Sequence, residues 1–282
     1  MVDEATVFVP GHITGFFSAH PDDDPTKAGS RGAGLTLTDG VEVTVRPAEA
    51  SEVILEGSAG EASTGPVEIE PVETVLETLA VSARVEVAAD LPLGAGFGVS
   101  GAVALGTALA ANRVFDRRLS TNELVTIAHA SEVEAGTGLG DVVAQAHGGI
   151  PIRLEPGAPA HNALDSIPER ARVEYVSFGS LSTAEVLSGD TEALSAAGAK
   201  ALSRVVEEPT LASFVFASRR FAREAELLTP AVVEALERVA AAGGQASMAM
   251  LGDTVFALGT GLSDAGYEPS VCATHPAGAM FV

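Results

Sequence analysis

Apolar residues recur along this chain with two different periods. Residues 83–88 read Ala-Arg-Val-Glu-Val-Ala, and this alternation predicts a strand with one buried face. Just before it, apolar residues at i, i+3, i+4 and i+7 predict a helix over residues 71–81. Residues 34–38 and 41–45 also alternate, and because they flank Asp39-Gly40 they predict a β-hairpin. The first part of the chain therefore mixes strands and helices.

The second half of the chain is richer in helical patterns. These indicate a strand over residues 173–178, helices over 183–188, 191–206, 210–227 and 230–242, and strands over 246–250 and 255–258. Residues 155–169 have the composition of a linker, so we expect two domains, 1–160 and 161–282. Strands and helices interleave without regular βαβ spacing, which favours an α+β fold class over a doubly wound sheet.

A glycine-rich segment follows the strand predicted at 83–88. It leads into a run of small residues, 102–111, which predicts a helix that packs closely against its neighbour. A strand, a glycine loop and a helix in this order form an anion site, because backbone N–H groups and the helix dipole face the same point. A nucleotide phosphate is the natural anion. The residues expected to hold it are Pro92, Gly94, Ala95, Gly96, Phe97, Gly98, Val99, Ser100 and Gly101.

The glycine loop taken alone has other interpretations. Residues 96–101 satisfy the dinucleotide fingerprint G-x-G-x-x-G, but a Rossmann unit needs an acidic residue at the end of a second strand. The nearest candidate, Asp116, lies in a sequence typical of a helix end. No Gly-Lys-Ser/Thr follows the glycines, which excludes a Walker P-loop. A turn that only lets a helix approach a sheet remains an alternative.

Composition narrows the class of protein. The chain has 282 residues, 46% of them hydrophobic, and no apolar run long enough to cross a membrane. The N-terminal residues 1–4 lack the basic region of a signal peptide, and the single cysteine, Cys272, cannot form an internal disulfide. We therefore expect a cytoplasmic protein in which Cys272 is a small buried apolar residue.

The charge balance excludes two classes of partner. Thirty-eight acidic residues against 16 basic ones give a net charge of −22, which repels nucleic acid and anionic membranes. Molar salt shortens the Debye length to about 3 Å and would screen this repulsion. We hypothesise a salt-adapted protein from a halophile. Full stability in dilute buffer would count against that hypothesis.

Three separated segments together resemble the GHMP kinase superfamily. Residues 10–15 (Pro-Gly-His-Ile-Thr-Gly) are similar to its N-terminal Pro-Gly-Lys motif, 92–102 to its ATP loop, and 243–256 stand where its C-terminal glycine motif lies. Within the superfamily the chain most resembles the archaeal pantoate kinases. The segments that carry this closer resemblance are 10–17, 29–34, 137–142, 148–149, 156–159 and 247–252.

The resemblance implies a function and an architecture. It implies ATP-dependent phosphorylation of pantoate to 4-phosphopantoate in coenzyme A biosynthesis, with ATP and Mg²⁺ as cofactors. It also implies a two-domain α+β fold with the active site between the domains, and a possible homodimer. Three positions depart from the superfamily pattern. His12 replaces the motif lysine, Val99 replaces the first serine of a Ser-Ser pair, and only Gly252 remains of the later glycines of the third motif.

Four residues are candidates for the phosphoryl-transfer chemistry. Ser100 at the start of the predicted helix either ligates Mg²⁺ or a phosphate oxygen, or caps the helix. The resemblance implies a glutamate metal ligand near residue 134, and we favour Glu134 over Glu132, which faces another side of the helix. Asp141 matches the catalytic aspartate of several superfamily members and is expected to be the base, or alternatively a helix cap.

Recognition of the pantoate carboxylate calls for a cation. Arg31, flanked by glycines, offers a bidentate fork or is a surface arginine. His12, His20 and Gly252 are further candidates for substrate binding. Two alternatives remain open: a GHMP kinase for another small alcohol, of the mevalonate or homoserine type, and a non-catalytic member that only binds a ligand.

Overall fold

A computed structural model describes residues 2–56, 66–180 and 191–282. The chain forms a mixed α+β structure with two sheets, as predicted. The strands are β1 (Ala5–His20), β2 (Gly29–Pro47), β3 (Glu52–Glu56), β4 (Ala83–Ala89), β5 (Pro151–Glu155), β6 (Ala163–Ser166), β7 (Arg172–Ser180), β8 (Ala246–Ala249), β9 (Gly252–Leu258), β10 (Ser270–Ala273) and β11 (Met280–Phe281). The helices are α1 (Glu70–Thr78), α2 (Val99–Val114), α3 (Thr121–Glu134), α4 (Asp141–His147), α5 (Thr191–Glu207), α6 (Leu211–Glu224), α7 (Pro230–Ala241) and α8 (Gly261–Asp264). The helix predicted at 183–188 lies outside the described residues.

The larger sheet supports the glycine loop. Its strands run in the order β11-β1-β2-β4-β3, and β5 and β6 extend it beside β2. Helix α2 packs on this sheet so closely that a Cβ added to Gly106 would lie 2.6 Å from the side chain of Val43. The run of small residues in α2 is therefore explained, and the prediction of a closely packed helix is confirmed.

The prediction of a β-hairpin at Asp39-Gly40 is wrong. Both flanking segments belong to one strand, β2, which pairs with β1 along its whole length rather than folding back on itself. The register steps from Pro10↔Gly40 to His12↔Thr36, so the extra residues of β2 are absorbed as a bulge opposite Gly11. The alternating pattern does indicate a strand, but the pairing partner is more distant in the sequence than a hairpin requires.

The smaller sheet completes the structure around the loop. Its strands run β10-β7-β9-β8, all antiparallel to their neighbours. The turn between β8 and β9 reaches the larger sheet, because Met250 N–H donates to Thr14 O at 2.9 Å. The Thr254 hydroxyl donates to the carbonyl of Ala95 at 2.9 Å, so the glycine loop lies between the two sheets.

Two further expectations concern the chain as a whole. Cys272 is buried, as predicted, and burial raises the pKa of its thiol to about 12. Among the described residues, no helix is long and apolar enough to span a bilayer. The division at residue 160 stays a prediction; the last strand, β11, returns to pair with β1 in the larger sheet.

Candidate active site

Two adjoining cavities lie where the two sheets meet. The larger, about 410 Å³, is bounded by the glycine loop, the ends of α2 and α3 and the turn between β8 and β9. The smaller recess, about 20 Å³, is lined in part by Leu139 and Arg153. Three residues, Thr14, Asp141 and Leu251, line both cavities. These three mark the junction at which ligands in the two cavities would meet.

The glycine loop enters α2 through a conformation that requires glycine. Gly98 is the N-cap of α2 and has a left-handed φ of 62°. A Cβ at this position would also lie 3.1 Å from the side chain of Asp141. The absence of a side chain thus lets the loop approach Asp141 and exposes the first turn of a 16-residue helix to the cavity.

Three carbonyl groups of the glycine loop accept hydrogen bonds from residues outside the loop. The carbonyl of Phe97 accepts from the backbone N–H of His12 at 2.9 Å, and that of Gly98 accepts from Nε2 of Gln145 at 2.9 Å. Thr254 holds a third carbonyl in the same way. In a trans peptide the carbonyl and the next N–H point in opposite directions. These hydrogen bonds therefore fix the orientation of three peptide groups of the loop before any ligand arrives.

We expect Gln145→Leu to weaken binding of ATP about tenfold, because one hydrogen bond that orients the loop is lost. Isothermal titration calorimetry of the apo protein with a non-hydrolysable ATP analogue measures the change in dissociation constant. Gln245→Leu, at an exposed glutamine, is the matched control. Equal affinity in the Gln145 and Gln245 variants would show that the loop keeps its shape without this bond.

Asp141 begins α4 and points at the junction. Its Oδ1 accepts from Nδ1 of His12 at 2.6 Å, and the Thr14 hydroxyl lies 3.4 Å away. Burial alone would raise the pKa of Asp141, but the hydrogen bond from His12, the charge of Arg153 and the Thr14 hydroxyl outweigh it and lower the pKa. The carboxylate is therefore ionised at neutral pH and able to accept a proton.

His12 lies behind Asp141 and lines neither cavity. It is fully buried, and burial lowers the pKa of its imidazole. Because an ionised carboxylate can only accept, Nδ1 carries the proton of the neutral ring, and Nε2 has no hydrogen-bond partner. The geometry gives His12 a role in holding Asp141 rather than in touching a substrate.

A serine and a glutamate lie together in the lining of the larger cavity. The Ser100 hydroxyl donates to Oε1 of Glu132 at 2.6 Å. Glu132 is only 3% exposed, whereas Glu134 is exposed and lines neither cavity. The preference for Glu134 is corrected accordingly: two residues apart on a helix are about 200° apart, and the inward one is Glu132.

Burial of the ionised Glu132 carboxylate destabilises the protein when no nucleotide or metal is bound. It raises the pKa of Glu132 to about 7, with a further contribution from the charge of Asp141, while the hydrogen bond from Ser100 opposes the shift. A pKa higher in the folded than in the unfolded state means that the folded state loses stability as pH rises from about 4.5 toward 7.

We therefore expect Glu132→Gln to stabilise the protein free of nucleotide and metal. The gain in free energy of unfolding should be about 2–3 kcal/mol larger at pH 8 than at pH 5, because each pH unit between the folded and unfolded pKa values corresponds to roughly 1.4 kcal/mol. Denaturant unfolding in EDTA measures it, with the exposed Glu134→Gln as control. The same change in stability at both pH values would contradict the buried, raised-pKa glutamate.

Arg153 is a residue of the site that the sequence analysis missed. It lies on β5, is 2% exposed, and its Nε and Nη1 have no hydrogen-bond partner. An arginine stays protonated in a protein, and although Asp141 is close enough to interact with this charge, two buried N–H donors without an acceptor are costly unless an anion binds them. Its guanidinium borders the smaller recess beside Ser30. A single arginine in the otherwise apolar segment 150–154 was the available signal.

The other predicted substrate residues lie elsewhere. Arg31 forms an ion pair with Glu155, His20 Nε2 lies 3.1 Å from the Ser18 hydroxyl, and neither residue lines the two cavities. Gly252 packs beneath the loop, since a Cβ there would collide with the carbonyl of Ala95. Of the predicted phosphate loop, the cavity-lining residues are Gly94, Gly96, Phe97, Gly98, Val99 and Ser100.

Comparison with known proteins points in one direction. Residues 69–149 match the GHMP kinases N terminal domain. The chain is 38% identical over 263 residues to the pantoate kinase of Thermococcus kodakarensis, covering 89% of this chain and 86% of that protein. It is 34% identical over 260 residues to the pantoate kinase of Methanocaldococcus jannaschii, covering 89% and 92%. A solved phosphotransferase related to the CoA biosynthesis pathway superposes with a TM-score of 0.86 at 30% identity, covering 99% and 98%.

Proposed function

The chain belongs to the pantoate kinases of the GHMP kinase superfamily, and we propose that its larger cavity carries ATP and that pantoate lies where this cavity meets the smaller recess, beside a transfer site at Asp141. One observation carries this proposal. Asp141 lines both the larger cavity, whose volume suits a nucleotide, and the recess beside Arg153, whose Nε and Nη1 have no hydrogen-bond partner.

The larger cavity suits ATP along its whole length. Its inner wall offers the N–H groups of the glycine loop and the N-terminus of α2 to the phosphates. Ile69, Pro71 and Leu93 also line it and would cover the face of the base, and Glu68 and Glu70 lie beside them. The nucleotide would therefore lie with its terminal phosphate toward Asp141.

Ser100 and Glu132 offer the oxygens that Mg²⁺ prefers. Within the described ranges no group of three or more His, Cys, Asp and Glu side chains is placed to hold a metal ion. Mg²⁺ bound to a nucleotide needs only one or two protein ligands, so this pair fits the ion. Bound there, Mg²⁺ would neutralise negative charge on the phosphates.

We expect Ser100→Ala to raise the Mg²⁺ concentration that half-saturates activity about tenfold at fixed ATP, since one hard oxygen is lost. A Mg²⁺ titration of ADP release measures this. Ser120→Ala is the control, because Ser120 caps the start of α3 and lies outside both cavities. An unchanged titration in the Ser100 variant would leave this serine as part of the helix start only.

The acceptor would lie across the junction. Its carboxylate would bind Arg153 and Ser30, and its terminal hydroxyl would donate to Asp141. As the hydroxyl oxygen forms its bond to the γ-phosphorus, the bond from that phosphorus to the β–γ bridging oxygen breaks. The hydroxyl proton passes to the Asp141 carboxylate and ADP leaves.

The proposed function is tested by ADP release with ATP, Mg²⁺ and a panel of acceptors: pantoate, pantothenate, mevalonate and homoserine. Turnover with pantoate alone is expected, because homoserine carries a cationic amine beside Arg153 and pantothenate has its carboxylate beyond an added amide. Preferred turnover of another alcohol would overturn the acceptor but keep the site. Folded protein that binds ATP and turns over none would overturn the catalytic proposal.

A further inference from the structure

Leu251 has an unusual backbone conformation at the centre of the site. Its φ is 65°, in the left-handed region that a bulky side chain adopts only under constraint. Of the four other described non-glycine residues with positive φ, Ala80, Asp116 and Glu226 directly follow the C-caps of helices, where this conformation is common, and Arg118 lies in an exposed loop. Leu251 instead occupies the turn between β8 and β9 and borders both cavities.

The contacts on both sides fix this turn. Met250 N–H is bonded to the carbonyl of Thr14, and Gly252 lies against the backbone of Ala95 with no space for a Cβ. The left-handed residue between them would be a glycine if conformation alone decided its identity. The leucine side chain must therefore serve a purpose of its own at the junction.

The walls of the recess show what that purpose is. Phe17, Leu139 and Leu251 supply its apolar surface, and the other residues that line it are Thr14, Ser30, Gly140, Asp141 and Arg153. An acceptor held between Arg153 and Asp141 would therefore have its middle carbons against apolar side chains. The recess itself is only about 20 Å³, so these carbons would lie at its mouth, where Leu251 borders both cavities. A substituent-free carbon chain would leave the Leu251 side chain with few contacts there, whereas a carbon bearing methyl groups would pack against it.

We propose that Leu251 determines specificity for an acceptor that is branched between its carboxylate and its reacting hydroxyl. The inference rests on the proposed function and deepens it: the quaternary carbon of pantoate, with its two methyl groups, is the feature that Leu251 recognises. Leu139 and Phe17 complete the same apolar surface.

The test compares pantoate with 2,4-dihydroxybutyrate, the same hydroxy acid without the two methyl groups. We expect wild type to prefer pantoate about 100-fold in kcat/KM, and Leu251→Ala to lower that preference to about tenfold or less, from the discrimination typical of single methylenes in apolar pockets. Leu93→Ala, in the lining of the larger cavity only, should keep the wild-type preference. Leu251→Gly, which suits the left-handed backbone, provides a second variant that should fold and show the same loss.

Each outcome has a distinct meaning. A wild-type protein that phosphorylates neither acid would overturn the proposed function itself. A wild type that prefers pantoate, with the preference intact in both Leu251 variants, would overturn this inference and leave the function standing. Equal use of both acids by wild type would also overturn it, since no recognition of the methyl groups would remain to explain.

Discussion

The substitution Asp141→Asn should lower kcat by a factor of about 10²–10⁴, the usual contribution of a general base, while the affinity for ATP stays essentially unchanged. The amide is isosteric with the carboxylate, and its oxygen still accepts the proton of His12 Nδ1. It cannot, however, take the proton of the acceptor hydroxyl. Steady-state kinetics with pantoate measure kcat, and isothermal titration calorimetry with an ATP analogue measures the affinity for nucleotide separately.

The exposed Asp22→Asn is the control for the change in net charge. It should behave as wild type in both measurements. If Asp141→Asn kept more than a tenth of the wild-type kcat, Asp141 would have no role as base. Its hydrogen bonds with His12 and Thr14 would then serve only to hold the start of α4.

The substitution Arg153→Met should raise KM for pantoate about 30-fold to 3,000-fold. This is the range expected when one partner of a buried charge pair, here Arg153 and the pantoate carboxylate, is removed. The same variant should not lose stability without ligand, because it removes a buried cation whose Nε and Nη1 have no hydrogen-bond partner. Kinetics at saturating ATP and thermal unfolding of the apo protein measure the two effects.

Arg31→Met is the matched control. Arg31 forms its ion pair with Glu155 at the surface, where such pairs contribute little. Its KM for pantoate should stay near the wild-type value. A large rise in KM from Arg31→Met, with little from Arg153→Met, would restore the candidate that the sequence analysis favoured.

The sequence predicted those parts of the site that depend on local order. Three glycines between a strand and a run of small residues were sufficient to predict a loop that leads into the closely packed α2. Asp141 was singled out because it follows a glycine-rich loop and matches a family motif, and it lines both cavities. The binding of phosphate by the loop and the role of Asp141 as base stay predictions. The fold class followed from the irregular interleaving of strands and helices.

Features that depend on distant pairing were missed. The strand with Asp39-Gly40 pairs with β1 and not with itself, which no local pattern reveals. Glu132 and Glu134 differ only in the face of α3 that they occupy, and that face is set by packing against α2. Arg153 reaches the site because β5 joins the edge of β2, some 120 residues earlier in the chain. Dependence on high salt and a homodimer stay predictions.

In the proposed complex the acceptor carboxylate lies on Arg153 and its primary hydroxyl lies on Asp141. The position of the phosphate in the product reports this orientation. Proton-coupled ³¹P NMR of the product made from pantoate and ATP should show the ester phosphorus split into a triplet by the two protons of the terminal CH₂. A doublet, from phosphate on the secondary hydroxyl beside the carboxylate, would contradict the orientation and with it the assignment of the two residues.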